Sequence, residues 1–334
     1  MRRIYAGLLF AAAVCAGGIG YVLHDPPPRK ITFPDGKRFA FSIVDDTDMA
    51  TVERGRPLYE VLHKYGMRTT KTIWVLDATS DAHPPDRGDT LRNPEYRAFI
   101  ADLRQKGFEI ALHGVRGGSS VRADIITGLD EFRDEVGQYP TMHVNHSLNA
   151  DNVYWGEHRW SFGPYRWAYR FASKHEFSGD DPESAYFWGD LVQQRVRYVN
   201  QFTFGEINLL NVTPSMPYHL SDKPYVNLWF LTSDGDDLNR FEALLSPENI
   251  DRLEREGGVC LVYTHLSAGS FNKDDAARAR FEARIKDLAS HDGWFAPASE
   301  ILDHLSKQPG WTAEPSLREK IRLETMFLWT LVMR

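Results

Sequence analysis

Acidic and imidazole side chains follow the ends of several predicted strands. The first of these strands is the run 39–44, which is apolar or small, partly β-branched and too short for a helix, so it predicts a buried parallel strand. Asp45 and Asp46 come directly after it. The other candidates lie at or near the ends of later strands: His113, His143, His146, Asp234 and His265.

Carboxylate and imidazole groups from separate strands are the ligands of a catalytic divalent metal that keeps one open position. A zinc-like ion lowers the pKa of its water and polarises a carbonyl, which suits hydrolysis of an amide or ester. A second carboxylate could accept the proton of the water, and a histidine across the cleft could protonate the leaving group. In the alternative interpretation, Asp45 and Asp46 cap the next helix or face water, and each histidine is a structural residue.

The elements that must position these groups alternate regularly between strand and helix, which predicts a parallel sheet or a βα barrel. Strands are predicted at 39–44, 69–76, 108–112, 141–146, 202–210, 225–232, 258–263 and 294–296. Helices are predicted at about 55–64, 94–106, 121–136, 190–201, 237–245, 247–256, 274–290 and 297–306.

Two segments depart from this alternation. The region 152–189 is dense in aromatic residues, which could stack on sugar rings, pack on the barrel or form a belt at a membrane interface. The segment 308–334 is predicted as a helical tail, and its apolar end is too short to span a bilayer. That tail could dock on the domain, lie on a membrane or mediate association.

Composition and the first residues suggest an exported globular protein. The 334 residues are 42% hydrophobic, enough for a sizeable core, and the formal net charge of −7 argues against a nucleic-acid partner. Residues 1–24 are predicted to be a signal peptide or a membrane anchor, because two arginines precede an apolar run, and 25–37 a proline-rich linker. The expected location is membrane-anchored through this helix and facing the periplasm or cell exterior, or secreted.

Four segments resemble motifs of the polysaccharide deacetylase family, and the resemblance extends roughly from residue 38 to 306. The run 41–46 with the helix 57–66 is similar to the opening motif of the family, and 107–113 is similar to its second motif. The segment 262–265 resembles the late histidine motif, and 293–302 the closing strand and helix.

This resemblance implies a distorted (β/α)7-type barrel over 38–307 and metal-dependent removal of acetyl groups from a glycan, with cleavage of a non-peptide C–N bond. In the family pattern, Asp45 would be the catalytic base and His265 the catalytic acid. Asp46 and His113 would bind the metal, for which zinc is expected. Trp229 and Asp234 lie on a strand that often supplies a pocket wall, and with His143 and Asn145 they are candidate substrate contacts.

The second motif departs from the family pattern, because Gly117 stands where the family has another metal-binding histidine. His146 is favoured as the replacement ligand since it lies at the tip of its strand, with His143 as the alternative. Period-2 alternation points these two side chains to opposite faces, so both cannot bind without a bend. The rival functions are a non-catalytic glycan-binding or assembly protein on the same barrel and a glycoside hydrolase with paired carboxylates.

Overall fold

The computed structural model describes residues 29–80, 82, 87–146, 148–172 and 175–333. The predicted signal or anchor at 1–24 lies outside the described residues, so export and membrane attachment stay predictions. No helix in the described ranges is long and apolar enough to cross a membrane. Eight strands are present in those ranges: β1 (Phe39–Asp45), β2 (Thr70–Ile73), β3 (Glu109–Leu112), β4 (Met142–His143), β5 (Tyr198–Phe204), β6 (Leu228–Asp234), β7 (Val259–Thr264) and β8 (Gly293–Phe295).

Strands β1 to β7 close into a parallel barrel, which confirms the predicted fold class. Each strand from β2 to β7 pairs with the next, and β1 joins the two ends of this row by pairing with β7 and β2. The short strand β8 pairs with the first residues of β1, where Phe39 lies opposite Gly293. Because the strands are parallel, their carboxyl ends meet at one rim, where residues from different strands can share a cavity.

Helices follow most of the strands and cover the barrel. They are α1 (Val52–Lys64), α2 (Pro94–Gln105), α3 (Arg122–Val136), α4 (Gly163–Ala172), α5 (Gly189–Arg195), α6 (Leu209–Val212), α7 (Leu238–Leu244), α8 (Pro247–Glu256), α9 (Asp275–Ala289), α10 (Ala298–Ser306) and α11 (Leu317–Met333). Several begin at side-chain caps: Thr51 accepts a hydrogen bond from the amide of Arg54, and Asn93 precedes Pro94. Helix α3 ends at Gly137, whose φ of 85° favours glycine.

One predicted helix–strand boundary is wrong. The sequence pattern placed a helix at 190–201 and a strand at 202–210, whereas α5 ends at Arg195 and β5 begins at Tyr198. Tyr198 and Val199 pair with Leu228 and Trp229 of the neighbouring strand. This sheet pairing overrides the weak local helix preference of the segment.

The aromatic-rich insertion contains a short 3-10 helix at Gly156–Arg159 and helix α4. Much of it packs inward: Trp160 and Trp188 are each 1% exposed, whereas Trp167 is 67% exposed. Trp160 contacts Phe202 of β5 and Phe327 of α11, with ring centroids 6.1 and 5.7 Å apart. These residues therefore join the insertion, the barrel and the C-terminal helix.

Candidate metal centre

The candidate site lies at the carboxyl-terminal rim of the barrel, in a cavity of about 680 Å³. This volume falls in the range of small-molecule sites. Strand β1 leads to Asp46 and Asp48, His113 follows β3, His146 lies beyond β4, and His265 follows β7. The wall also contains Asn145, Trp155, Arg159, Asn200, Thr203, Asp234, Asp236, Arg240, Tyr263, Phe327 and Leu331.

The carboxylate of Asp48 lies among three imidazole rings. His146 Nε2 is 3.0 Å from Asp48 Oδ1, while His113 Nε2 and His265 Nε2 are 3.2 and 3.1 Å from Oδ2. Oδ2 is buried and no described side chain is aligned to give it a hydrogen bond. Burial would raise the pKa of Asp48, but the three imidazoles outweigh it and hold that pKa well below its usual range.

In two of these histidines the other ring nitrogen faces an oxygen acceptor. His113 Nδ1 lies 3.1 Å from the carbonyl oxygen of Val144, and His146 Nδ1 lies 3.0 Å from Asn149 Oδ1. The Asn149 amide is oriented by its donation to the carbonyl of Arg116. Each Nδ1–H therefore donates to an oxygen acceptor, and each Nε2 is the ring nitrogen directed at Asp48.

A cation placed between these two nitrogens and the Asp48 carboxylate would have three ligands of the kinds that a divalent metal takes. The ligand atoms of Asp48, His113 and His146 all lie within 4.8 Å of one another, a spacing that fits ligands placed about 2 Å from a common ion. Metal-binding histidines also usually donate their other ring N–H to an oxygen acceptor, as Nδ1 does in both of these residues. The donor set and the directions of its ring nitrogens thus fit a divalent metal.

Asp46 lies beside this group and faces the cavity. Its Oδ1 is 3.4 Å from Thr72 Oγ1 and 3.6 Å from His113 Nδ1, which is the ring nitrogen directed away from Asp48. Burial raises the pKa of Asp46, with the two neighbouring acids adding to this and His113 and His265 opposing it. Asp48 rather than Asp46 contacts the Nε2 atoms of His113 and His146, while ligand atoms of Asp46, Asp48 and His265 form a second group within 4.8 Å of one another. The role of Asp46 as a metal ligand stays a prediction.

Asp45 does not line the cavity, in contrast to the base role inferred from the family pattern. It is fully buried, and its Oδ2 is 2.9 Å from Lys71 Nζ and 2.8 Å from the Tyr59 hydroxyl that donates to it. Its Oδ1 accepts a 2.7 Å hydrogen bond from the amide of Leu266. Lys71 is its register partner on β2. The Asp45 carboxylate thus anchors the loop that carries His265.

His265 is held between two acids at the edge of the cavity. Its Nδ1 lies 2.6 Å from Asp236 Oδ1, and its Nε2 faces Asp48 and the hydroxyl of Tyr263 at 3.3 Å. Burial would lower the pKa of His265, but contacts with Asp236 and Asp48 raise it well above its usual range. A protonated imidazole braced by a carboxylate has the properties of a general acid.

The four predicted substrate contacts divide into two pairs. Asn145 and Asp234 line the cavity, and Asp234 lies 3.4 Å from Arg240. His143 and Trp229 are each 1% exposed and do not line it. His143 packs edge-on against Trp188, its Nε2 lies 3.1 Å from Asn145 Oδ1, and burial lowers its pKa to about 4. His143 is therefore a neutral core residue in this fold.

Sequence reasoning missed Asp48, Asp236 and Arg159. Asp48 could have been found, since Asp46-Thr47-Asp48 gives a third acid directly after the strand end. Asp236 also stands in an acidic run after its strand, but no spacing rule connects it to His265. Arg159 lies in the insertion and carries no motif signal.

Solved structures similar to this chain include an allantoinase with 12% identity and a TM-score of 0.48, covering 86% of this chain and all of that one. They also include the peptidoglycan deacetylase PdaC from Bacillus subtilis, at 13% identity, TM-score 0.38 and coverages of 81% and 93%. A family 4 acetyl xylan esterase from Clostridium thermocellum, solved with a cobalt ion, has 11% identity, TM-score 0.38 and coverages of 84% and 96%.

No protein-family model and no curated protein matches the chain. Because the TM-scores of these three enzymes are all below 0.5, the assignment of an activity rests on the side chains of the cavity.

Proposed function

We propose that this protein is a metal-dependent hydrolase that removes acetyl groups from a glycan. The observation that carries the proposal is the pair of histidines, His113 and His146, whose Nδ1 atoms face oxygen acceptors while both Nε2 atoms face Asp48. His146 would supply the ligand that Gly117, at the position of the family's second histidine, cannot supply. A complete donor set favours a catalyst over a binding protein that lost its metal.

Asp48, His113 and His146 would hold the metal, for which zinc suits the nitrogen and oxygen donors. When bound, the metal would act as a Lewis acid on the acetyl carbonyl and lower the pKa of water. The water oxygen bonds to the acetyl carbon while Asp46, 2% exposed at the cavity wall, accepts the water proton. His265, oriented by Asp236, donates a proton to the sugar nitrogen as the C–N bond breaks, which leaves acetate and a free amine.

The lining of the cavity suits a sugar. It combines an aromatic ring, that of Trp155, with the amides of Asn145 and Asn200 and the hydroxyl of Thr203. Flat rings pack on the apolar faces of pyranoses, and amides and hydroxyls can bond to sugar hydroxyls. These residues come from the insertion, from the loop after β4 and from β5.

The test combines metal analysis with acetate release by the full chain. We expect about one zinc per chain, lost in His113→Ala and in His146→Ala, because each change removes one of three protein ligands. Asp46→Asn should keep the metal and lose roughly 100-fold or more in acetate release from acetylated oligosaccharides. Asp275→Asn, at an acid whose side chain is 95% exposed, is the matched control.

Two results would contradict the proposal. One is a chain that retains its metal in both histidine variants. The other is a metal-loaded protein that releases no acetate from N- or O-acetylated glycans. Cleaved glycosidic bonds without acetate would instead support the glycoside hydrolase alternative.

A further inference from the structure

Arg159 is a cation in the cavity wall without an acidic partner in the described ranges of the chain. Its guanidinium carbon lies 3.4 Å from the ring centre of Trp155, 5.2 Å from that of Phe202 and 5.1 Å from that of Phe327. Its Nε is buried and donates to no acceptor among the described residues. Aromatic faces are therefore the contacts that the guanidinium makes.

The other arginine of the cavity is neutralised within the wall. Arg240 lies 3.4 Å from Asp234 and 3.5 Å from Asp236, both of which line the same cavity. The acids of the cavity thus gather around Arg240 and the candidate metal centre, leaving the charge of Arg159 uncompensated. Burial lowers the pKa of Arg159 to about 9, so the side chain remains protonated at neutral pH.

Packing alone accounts poorly for an arginine at this position. Aromatic faces attract the cation, but they do not satisfy five N–H donors that lie in the guanidinium plane. A methionine would fill the same space without a desolvated charge. The backbone of Arg159 is also held in place. Its carbonyl accepts a hydrogen bond from the Gln201 side chain, and Arg159 is the last residue of the 3-10 helix. A positioned cation without an acceptor is ready to bind an anion.

We propose that Arg159 binds an anionic group of the substrate, so that the cavity takes an acidic acetylated sugar. This inference rests on the proposed function only in treating the cavity as the substrate site. The planar fork of a guanidinium matches a carboxylate or a phosphate through two parallel hydrogen bonds. The shared chemistry is an oxyanion on or next to the acetylated ring.

The test measures binding of three sugars to the metal-free full chain by ligand-observed NMR titration. The probes are N-acetylmuramic acid for a carboxylate, N-acetylglucosamine 6-phosphate for a phosphate and N-acetylglucosamine as the neutral reference. We expect one acidic sugar to bind about tenfold more tightly than the neutral sugar. Whichever acidic sugar has this advantage identifies the source of the anion.

Arg159→Gln should abolish the advantage, whereas Arg166→Gln should keep it. Arg166 is the matched control because it is an arginine of helix α4 that does not line the cavity. If the glutamine variant does not fold, Arg159→Met provides the same test, since its apolar side chain fits between the aromatic rings.

Equal binding of all three sugars by the unaltered chain would overturn the inference. An advantage that survives in Arg159→Gln or Arg159→Met would also overturn it. Because binding is measured without metal or turnover, a failure to release acetate leaves this result unaffected. Conversely, an active deacetylase that binds acidic and neutral sugars equally would contradict this inference alone.

Discussion

Asp45 and Asp46 are neighbours in the chain, yet their carboxylates have different surroundings. Successive side chains of a strand point to opposite sides, so the two acids cannot share one environment. Asp45 meets Lys71, Tyr59 and the amide of Leu266, while Asp46 faces the cavity. Two residues further along the chain, the Asp48 carboxylate lies among three imidazole rings. At the scale of single residues, these contacts separate a structural acid from two functional ones.

We expect Asp45→Asn to destabilise the protein by about 3–5 kcal/mol, because the change leaves the buried ammonium of Lys71 without its counter-charge. Urea unfolding of the metal-free chain measures this effect. In the double variant Asp45→Asn with Lys71→Met, much of the stability should return, since no unpaired charge is left buried. An Asp45→Asn protein of unchanged stability that had lost only kcat would instead identify Asp45 as the base.

At the scale of elements, helix α11 forms part of the cavity rather than a separate tail. The ring of Phe327 packs against that of Phe202 of β5 with centroids 4.2 Å apart, and both Phe327 and Leu331 line the cavity. Glu324 is 2% exposed and accepts hydrogen bonds from the amides of Ser161 and Phe162, at 2.5 and 2.9 Å. The sequence left three interpretations of the C-terminal segment, and in the described residues helix α11 docks on the domain.

Replacing Glu324 with glutamine should loosen this docking. The neutral amide oxygen accepts more weakly than a carboxylate, and we expect a local loss of about 1–2 kcal/mol. Hydrogen exchange should then accelerate in 317–333 and around 161–163, with the barrel strands unaffected. Glu300→Gln, at an exposed acid of helix α10, is the control. Unchanged exchange in both segments would mean that apolar packing alone holds α11.

At the scale of the whole molecule, the candidate metal centre connects distant parts of the chain. Its donors follow β1, β3 and β4, and the neighbouring His265 follows β7, the strand that closes the barrel against β1. Asp48 and His146 meet although they are 98 positions apart in the sequence. A ligand that binds only the folded arrangement stabilises that arrangement by mass action.

Removal of the metal should therefore lower the thermal stability of the chain. At a zinc concentration about 100 times Kd, the expected stabilisation is about 3 kcal/mol, which corresponds to roughly 4–5 °C in Tm for a domain of this size. Calorimetry with a chelator and after zinc is restored measures the shift. His113→Ala, which lacks one donor, should give no zinc response. An equal response in that variant would place the metal elsewhere.

Sequence patterns alone predict the strand–helix alternation, a parallel sheet or βα barrel, and the rim where the chemistry collects. These follow from local rules: apolar runs of strand length, glycine ends of helices and polar residues directly after strands. The same rules identified His113, His146 and His265, because each lies at or just beyond a strand end. They also favoured His146 over His143, and the structure brings His146 rather than His143 to Asp48.

The partner of each acid depends on tertiary contacts. Asp48 and Asp236 lie in loops, where no fixed period sets the direction of a side chain, and long-range contacts place them. The pairing of Asp45 with Lys71 depends on strand register, and Arg159 gains its position from rings of the insertion, β5 and α11. Local sequence therefore specifies the scaffold, whereas the direction of each functional group depends on residues far apart in the chain.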